Sequence, residues 1–419
     1  MRSGRKFLAT FLVLTFLAAL VGAMTISASA AEKRVTLTVW SWRTEDVEAW
    51  NDVIAVFEKE NPGIQVNFRP YKNTEYDTIL NTALQSGSGP DLYQLRPYNQ
   101  TLISAGYALP IDGVVPELAN FSKAALGGAR GSKDARIYGV PYALNTTQIY
   151  YNKTIFAKYG LKEPSTWDEL INIAKTLASK GITPFAQGTK DGWTLSLAHS
   201  VIGPSVYGGN DFVDQFVDGK AKLTGPKFVA SIERFRELAP YFMKNYTGVA
   251  YTDTQTMFAM EQAAMFIGGS FEYGYFTNLN PNLKLGVFPS PTDDGSPGIV
   301  STWTSGSYAG NSKTKHPAEV IAFLRFMGTT EFGQIMTDKL RIISPIKGVK
   351  ATDPIVKEMY RLSQENGATP YFAIVYLNNG SPSGKKVLED SLQGMFLGKL
   401  RAQEVAQNVE KAVATWLKH

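Results

Sequence analysis

Hydrophobic residues recur along this chain in two spacings, one of which predicts strands and the other helices. Residues 35–40 (VTLTVW) and 64–68 (IQVNF) alternate with period two, and 91–95 (DLYQL) forms a third short apolar run. Residues 45–60 and 74–84 instead place apolar side chains three and four positions apart, as one face of a helix requires. This strand–helix–strand–helix–strand order predicts an α/β domain with a largely parallel sheet.

The pattern changes further along the chain. Residues 137–151, 301–309 and 342–346 are extended stretches with little helical period, and they separate compact segments. Three such crossings indicate two α/β lobes joined by a multi-strand hinge, with a ligand crevice between the lobes. Between and after them the spacing predicts helices at 167–180, 226–240, 252–263, 270–279, 317–327 and through the last 70 residues, with short strands at 183–187, 263–267 and 284–287.

The N-terminus has the order of a secretory signal peptide. Three basic residues lie within the first six positions, 7–23 is almost wholly apolar, and 28–30 (ASA) offers small residues at the positions that signal peptidase recognises. The apolar run is shorter than the roughly 20 residues of a membrane span. We therefore expect cleavage before Ala31 and a periplasmic or secreted mature protein, the alternative being an uncleaved N-terminal anchor.

Composition narrows the classes of partner. Removing residues 1–30 leaves 389 residues and takes away three positive charges, so the net charge falls from +5 to +2. No Lys/Arg cluster follows, which argues against a nucleic-acid partner. The chain has no cysteine, which excludes disulfides, thiolate metal sites, cysteine nucleophiles and a lipid-modified N-terminal cysteine.

Several kinds of catalytic or cofactor site are missing from the sequence. The three histidines, His199, His316 and His419, show no metal-ligand spacing. Neither a phosphate-binding G-x-x-x-x-G-K-[ST] loop nor a G-x-S-x-G nucleophile elbow occurs. We therefore expect no metal, no cofactor and no catalytic residue. By contrast, 20 Tyr, 23 Phe and 7 Trp, several of them in polar, glycine-containing stretches, favour a surface that binds flat, partly apolar ligands.

Four stretches, taken together and in order, resemble the extracellular solute-binding proteins of bacterial ABC importers, the family that includes maltose-binding protein. They are VTLTVWSW with VIAVFEKENPGIQVNF; GSGPDLYQL with SAGYALPIDG; YGVPYALNTTQIYYNKTIFAKYGL with PSTWDEL; and FAMEQAAMFIGGSF. The resemblance covers nearly all of residues 32–419. Two departures are Phe271, where many members have Trp, and Glu261-Gln262, where a Gly is common.

The resemblance implies a two-lobed periplasmic-binding-protein fold of type II-like topology that closes on a solute and presents it to permease subunits in the membrane. The N-terminal lobe would comprise 31–144 plus 306–343, and the C-terminal lobe 145–305 plus 344–419. Hinge positions would lie at 144–148, 304–309 and 343–347, where a few residues absorb the backbone rotation. The expected protein is a monomer and not an enzyme.

Candidate ligand residues of the first lobe follow strands whose carboxyl ends border the crevice. Trp42 and Arg43 come after the first strand, and an indole face suits the C–H face of a sugar ring. Arg96, Tyr98 and Asn99 follow the third strand and offer donors to hydroxyl oxygens. Each of these has a plainer interpretation as a packed surface aromatic or a solvated helix start.

Further candidates lie on the hinge crossings and in the second lobe. Asn145 occupies the place of a ligand-contacting acid in maltose-binding protein, or else satisfies hinge backbone groups. Phe271 matches the family's stacking position, and Glu272 accepts hydroxyl protons or simply favours a helix N-terminus. Arg341 is a ligand contact or an interlobe ion pair. The remaining candidates are Asp191 and Trp193, expected in a loop, with Tyr273, Trp303, Ser305, Tyr376 and Asn378.

The sequence thus favours a carbohydrate receptor, because the candidate site is aromatic and lacks a clear anion clamp. A clamp for another solute, such as a polyamine or a phosphodiester, is the first alternative. A secreted glycoside hydrolase is the second; it needs two carboxyl groups about 5–9 Å apart, for which Asp191 and Glu272 are the available pair.

Overall fold

The computed structural model describes residues 34–98, 100–365 and 368–417, and within them the chain forms two β-sheets, each covered by helices. The predicted signal peptide and Asn99 lie outside the described residues. The strands are β1 (Val35–Ser41), β2 (Ile64–Pro70), β3 (Leu92–Leu95), β4 (Val140–Pro141), β5 (Leu144–Asn152), β6 (Thr183–Phe185), β7 (Ala263–Gly269), β8 (Leu285–Phe288), β9 (Ser301–Thr304), β10 (Ser307–Gly310) and β11 (Thr369–Pro370).

Helices flank both sheets. In chain order they are α1 (Val47–Glu60), α2 (Asn73–Ser86), α3 (Gln100–Ser104), α4 (Lys123–Gly127), α5 (Lys153–Lys158), α6 (Trp167–Ser179), α7 (Gly192–Ile202), α8 (Pro204–Tyr207), α9 (Gly209–Val217), α10 (Pro226–Glu237), α11 (Tyr251–Ala259), α12 (Glu272–Leu279), α13 (Pro317–Met327), α14 (Thr330–Leu340), α15 (Pro354–Glu365), α16 (Phe372–Val375), α17 (Gly384–Phe396) and α18 (Ala402–Val413). Short 3₁₀ turns occupy Thr44–Asp46, Pro116–Asn120, Ala239–Tyr241 and Tyr246–Gly248. No helix in the described ranges combines the length and the apolar character that crossing a membrane requires.

The first lobe is built on a sheet of order β2-β1-β3-β10-β4. Strands β1, β2 and β3 are parallel, and β10 runs antiparallel to β3 and β4. Helix α1 buries Trp50, Val53 and Phe57, the apolar positions that its sequence spacing predicts, in a core shared with α13 and α14. Burying such a stripe stabilises the helix far more than its own backbone propensity does.

The second lobe is built on a sheet of order β11-β9-β5-β7-β6, with β8 also paired to β5. Strand β5 is central and runs antiparallel to β7, β8 and β9. The hydrophobic core of this lobe combines residues of α6, α7, α10, α17 and α18. The C-terminal helices of the chain therefore belong to the second lobe. Two sheets with separate cores agree with the two-lobed α/β architecture predicted from the sequence.

The chain passes between the sheets through very short segments. Residues 142–143 join β4 to β5, and 305–306 join β9 to β10. These two crossings are hydrogen-bonded to each other, since the Ser305 N–H donates to the Ala143 carbonyl at 2.9 Å. The hinge range 144–148 implied by the resemblance lies inside β5, so the change of sheet occurs about two residues earlier than expected.

The third predicted crossing, 342–346, is not a strand. Ile343 forms an isolated bridge with Leu144, and Ile346 forms one with Phe121 of the first lobe. Each residue pairs singly because the segment joins two lobes rather than extending one sheet. The sequence also missed α7 to α9, where small and polar residues among the apolar ones blur the helical period.

Candidate functional site

The carboxyl ends of several strands converge where the two sheets meet. Parallel strands β1 and β3 both end at this edge of the first sheet, and β10 starts there, with Ser307 opposite Leu95. On the second sheet, β5 starts there with Asn145 opposite Trp303 of β9. The junction therefore gathers most of the sequence-predicted residues, as expected for the crevice at strand carboxyl ends.

The second-lobe side of the junction is aromatic. The rings of Trp303 and Tyr371 meet edge to face with centroids 4.9 Å apart, and Phe271 lies 6.5 Å from Trp303 in the same manner. Trp193 packs on Tyr251 at 4.6 Å. Edge-to-face packing fixes ring orientation and leaves ring faces available for apolar contact.

Asn145 stands out among the polar residues of this side. The residue as a whole is only 3% exposed, and its side-chain amide bonds no described residue, although the amide atoms are not both buried and unpaired. Its neighbour Thr146 is held by Ser270, whose hydroxyl accepts from the Thr146 N–H at 3.1 Å and whose own N–H donates to the Thr146 carbonyl at 2.9 Å. An amide that bonds no described residue can donate to and accept from the hydroxyl groups of a ligand.

Glu272 forms a buried acidic network next to Phe271. Its carboxylate is fully buried and accepts hydrogen bonds from the Tyr251 hydroxyl at 2.7 Å and the Gln255 amide at 2.6 Å. Burial raises the pKa of Glu272 to about 7, although these two hydrogen bonds and the charge of Arg43 act to lower it. Since Arg43 belongs to the first lobe, the two lobes face each other here.

The first-lobe side is a block of paired charges. Arg43 bonds Asp46 at 2.9 Å and Glu45 at 3.1 Å. Burial opposes the charge of Arg43, but the two carboxylates outweigh it and hold the pKa of Arg43 above its ordinary value. Arg96 bonds Asp77 at 3.0 Å and donates to the Asn73 side-chain oxygen at 2.8 Å. Both arginines are thus committed to protein partners.

A profile of the family described as bacterial extracellular solute-binding proteins matches residues 40–334. The chain belongs to this family. A "Multiple sugar-binding protein" of Streptococcus mutans is 28% identical over 77% of this chain and 78% of its own length. The "Melibiose/raffinose/stachyose-binding protein MelE" of Bacillus subtilis is 24% identical over 88% of both chains. The resemblance drawn from the sequence motifs is therefore confirmed.

Solved structures agree with the fold. The structure titled "SBP RafE in complex with raffinose" has a TM-score of 0.77 at 24% identity and covers 90% of this chain and 98% of its own. The solute receptor AcbH, whose title states a substrate preference for β-D-galactopyranose, has a TM-score of 0.80 at 21% identity and covers 92% and 100%. At these identities the likeness establishes the two-lobed solute-binding fold.

Some predicted site residues lie at the junction in other roles than expected. Trp193 is in the first turn of α7, and Asp191 immediately precedes that helix. The loop expected for these two residues is therefore the start of a helix. The Asp191 carboxylate accepts from the Tyr251 N–H at 2.7 Å. The Ser305 hydroxyl lies 3.3 Å from that of Tyr142. Asn378 accepts from the Ser383 hydroxyl at 2.8 Å, which stabilises the loop before α17.

Two predicted residues lie away from the junction. Arg341 donates to the Thr277 hydroxyl at 2.8 Å, at the far end of α12 from Phe271, and lies 3.9 Å from the Asp353 carboxylate. The Tyr273 hydroxyl donates to the same carboxylate at 2.8 Å. Of the two interpretations offered for Arg341, the ion-pair geometry is the one present in this structure.

Tyr98 and Tyr376 approach each other from opposite lobes. Burial raises the pKa of Tyr98, and the Tyr376 hydroxyl raises it further. Tyr98 also has a left-handed backbone, with φ at 59°, which is uncommon for a tyrosine. Such a conformation is kept at sites where the surrounding structure demands one ring position.

Sequence analysis missed the partners that hold the site together. Tyr251 and Gln255 lie on the same face of α11, four residues apart, and this spacing was the available signal. Gln94 was also missed: its side-chain oxygen accepts from the Ser41 hydroxyl at 2.7 Å and from the Trp42 N–H at 3.3 Å. No local pattern marks Gln94, because its partners are more than 50 residues away in sequence.

Proposed function

We propose that this protein is the extracytoplasmic substrate-binding receptor of an ABC importer, and that it captures a mono- or oligosaccharide by closing its two lobes. The observation that carries the proposal is the Asn145 amide, which bonds no described residue and lies opposite Trp303 in the aromatic half of the junction. An amide both donates to and accepts from sugar hydroxyls, while ring faces cover the apolar C–H surface of a pyranose. The names of its sugar-binding relatives support the same class of ligand.

The state of the charged groups weighs against the alternative solutes. A phosphodiester needs free cationic donors, but Arg43, Arg96 and Arg341 already bond protein oxygens. A polyamine needs free carboxylates, but the Glu272 oxygens accept from Tyr251 and Gln255, and Asp191 accepts from a backbone N–H. A neutral, hydroxyl-rich ligand leaves all of these pairs in place.

We place the ligand contacts at Asn145, Phe271, Trp303, Trp193, Tyr98 and Tyr376, with Glu272 next to them. The lobes divide at the crossings 142–143 and 305–306, and a third crossing follows Ile346, which packs in the first-lobe core. Closure acts by population shift, since a ligand that touches both lobes favours the closed state. The mature chain starts near Ala31 after removal of the signal peptide, acts as a monomer and delivers its ligand to the permease subunits.

A thermal-unfolding screen of residues 31–419 tests the proposal. Mono-, di- and trisaccharides are compared with spermidine, putrescine and glycerophosphodiesters at equal concentration. A ligand that binds only the folded state stabilises it by about 2.7 kcal/mol at a hundredfold excess over Kd. We expect a concentration-dependent rise in Tm with one sugar series. A rise confined to polyamines or phosphodiesters would overturn the sugar assignment, and release of shortened oligosaccharide products would reveal the hydrolase.

A further inference from the structure

Trp42, the first residue after β1, is enclosed on several sides. The guanidinium carbon of Arg96 lies 4.3 Å from its ring centroid, and the ring of Tyr76 meets it edge to face at 5.5 Å. Its backbone N–H donates to Gln94, and the residue is 7% exposed. A cation over the ring and a fixed backbone hold the indole in one place and leave little surface for a sugar.

A further neighbour of the indole is Gly306, in the crossing between β9 and β10. A Cβ at position 306 would lie 2.7 Å from Cη2 and 3.1 Å from Cζ2 of Trp42, and 3.2 Å from the Leu95 carbonyl oxygen. The backbone of Gly306 is not left-handed. The indole is therefore the closest obstacle to a side chain here, and the Leu95 carbonyl oxygen is a lesser one; the backbone conformation of Gly306 is no obstacle.

The contact lies on the segment that must rotate when the lobes move. The Gly306 carbonyl accepts from the Tyr142 N–H at 3.4 Å, so the 305–306 and 142–143 crossings are linked at this point. Trp42 belongs to the core of the first lobe, whereas Trp303, three residues before Gly306, belongs to that of the second. The indole thus presses on the linked crossings from the first-lobe side.

We propose that Trp42 is a positioning residue whose indole packs against Gly306 and sets the angle between the lobes, instead of stacking on the ligand. The inference rests on the proposed function in that lobe closure captures the solute. Tight packing transmits displacement because interiors are dense and poorly compressible. A larger residue at 306 then disfavours the arrangement seen here, in which Arg43 and Glu272 act on each other across the junction.

The angle is measured without ligand, so the test does not depend on any sugar binding. The chain has no cysteine. Nitroxide labels at Lys72→Cys in the first lobe and Lys220→Cys in the second, two highly exposed positions, therefore report the interlobe distance by pulsed EPR. Gly306→Ala is expected to lower the population of the lobe arrangement seen here, relative to other arrangements, about fivefold, the smallest change that overpacking costs imply.

The decisive measurement is whether a smaller ring at position 42 reverses the effect of Gly306→Ala. Trp42→Phe removes the Cη2 and Cζ2 region, so the double variant Trp42→Phe/Gly306→Ala is expected to return to the wild-type distance distribution. Gly128→Ala is the matched control, because Gly128 has ordinary helical φ and its added Cβ would lie 3.4 Å from Thr304, at normal contact distance. It should leave the distribution unchanged.

Three results overturn the proposal: no shift with Gly306→Ala, a shift that Trp42→Phe does not relieve, or an equal shift with Gly128→Ala. If Gly306→Ala alone fails to fold, the double variant decides, since only relief of the indole contact restores a folded protein with wild-type distances. Sugar titrations then separate the two proposals. Loss of sugar affinity in Trp42→Phe with unchanged lobe distances would instead make Trp42 a ligand contact.

Discussion

The two halves of the junction differ in how their polar groups are satisfied. On the first lobe, Arg43 and Arg96 are bonded to carboxylates, and Gln94 ties the end of β1 to β3. Even so, Oδ1 of Asp46 and Nε2 of Gln94 on this lobe are buried without a partner among the described residues. On the second lobe, the Asn145 amide bonds no described residue, and burial raises the pKa of the Glu272 carboxyl. The charged groups of the first lobe are therefore paired within the protein, whereas the second lobe keeps an amide and a buried carboxyl at the junction.

This contrast teaches where to look for ligand contacts in such a clamp. Abundant charged and aromatic residues at a strand end do not by themselves make a site, because most of them serve one another. A polar group at the junction that bonds no described residue, such as the Asn145 amide or the buried Nε2 of Gln94, is the rarer feature and points to what a ligand supplies.

The largest effect is expected on the stability of the protein, when the buried charge pair of the first lobe is broken. Arg43→Met removes the partner of Asp46, which is only 1% exposed, and leaves an unpaired buried carboxylate. Breaking a buried pair in this way costs about 3–5 kcal/mol. Urea unfolding at pH 7 measures the loss.

The control for that prediction is Arg236→Met. Arg236 pairs with Glu233 at 2.7 Å, but their side chains are 57% and 42% exposed, so this surface pair contributes at most about 1 kcal/mol. Equal losses in the two variants would show that the Arg43 cluster is no more than a surface pair.

The next effect is the pH dependence of the unfolding free energy that Glu272 of the second lobe causes. Glu272 has a pKa of about 7 in the folded protein, against about 4.3 for an unfolded chain. As pH rises between these values the unfolded chain loses its proton first, so stability is full below about 4.3 and falls by up to about 3–4 kcal/mol by pH 7 and above. Glu272→Gln removes this term. The difference in unfolding free energy between wild type and variant should therefore change across this window.

Glu404→Gln serves as the matched carboxylate. Its hydrogen bond from Arg401 holds the pKa of Glu404 below the ordinary value, so this group does not titrate in the upper part of the window between about 4.3 and 7. If the unfolding free energy of Glu272→Gln depends on pH as that of the wild type does, then Glu272 titrates normally and the buried network is wrongly described.

The smallest effect compares two asparagines on β5. Asn145→Ala removes no side-chain hydrogen bond to a described residue, so stability should hardly change, while sugar affinity falls about tenfold, or about 1.4 kcal/mol. Asn152→Ala should do the reverse. Its oxygen accepts from the Ile155 N–H at 2.9 Å as the N-cap of α5, and its amide donates to the Glu261 carboxylate at 2.9 Å. Loss of the cap alone costs about 1 kcal/mol of stability, and affinity should not change.

Calorimetric titration with the sugar found in the screen, together with thermal unfolding, measures both quantities. If Asn145→Ala binds as tightly as wild type, the amide is not a ligand contact and the site must be sought elsewhere at the junction.

Local periodicity predicted much of the fold. The alternation in 35–40 and the helical spacing in 45–60 correspond to β1 and α1 within a few residues, because each segment buries one continuous stripe. Segments with mixed packing escaped prediction. Helix α7, for example, buries nearly every side chain from Thr194 to Ile202 and so has no polar face to reveal its period.

The sequence predicted where the candidate site lies in the fold, but it did not predict which side chains bond one another there. Strand ends carrying Trp42, Arg96 and Phe271 were recognised, and the structure brings them to one junction. Their pairings were beyond the sequence. Nothing near Arg96 in the chain shows that Asp77 and Asn73 bind it, or that its guanidinium covers Trp42.

The sequence by itself therefore determined the two-lobed α/β architecture and the family, since these follow from short-range periodicity and contiguous motifs. Only the tertiary structure decided which polar groups are satisfied. Hydrogen bonds such as those from Tyr251 and Gln255 to Glu272 form between segments about 20 residues apart, and that from Ser41 to Gln94 spans 53. Pairing at such separations depends on how the strands are ordered in space, which no local pattern specifies.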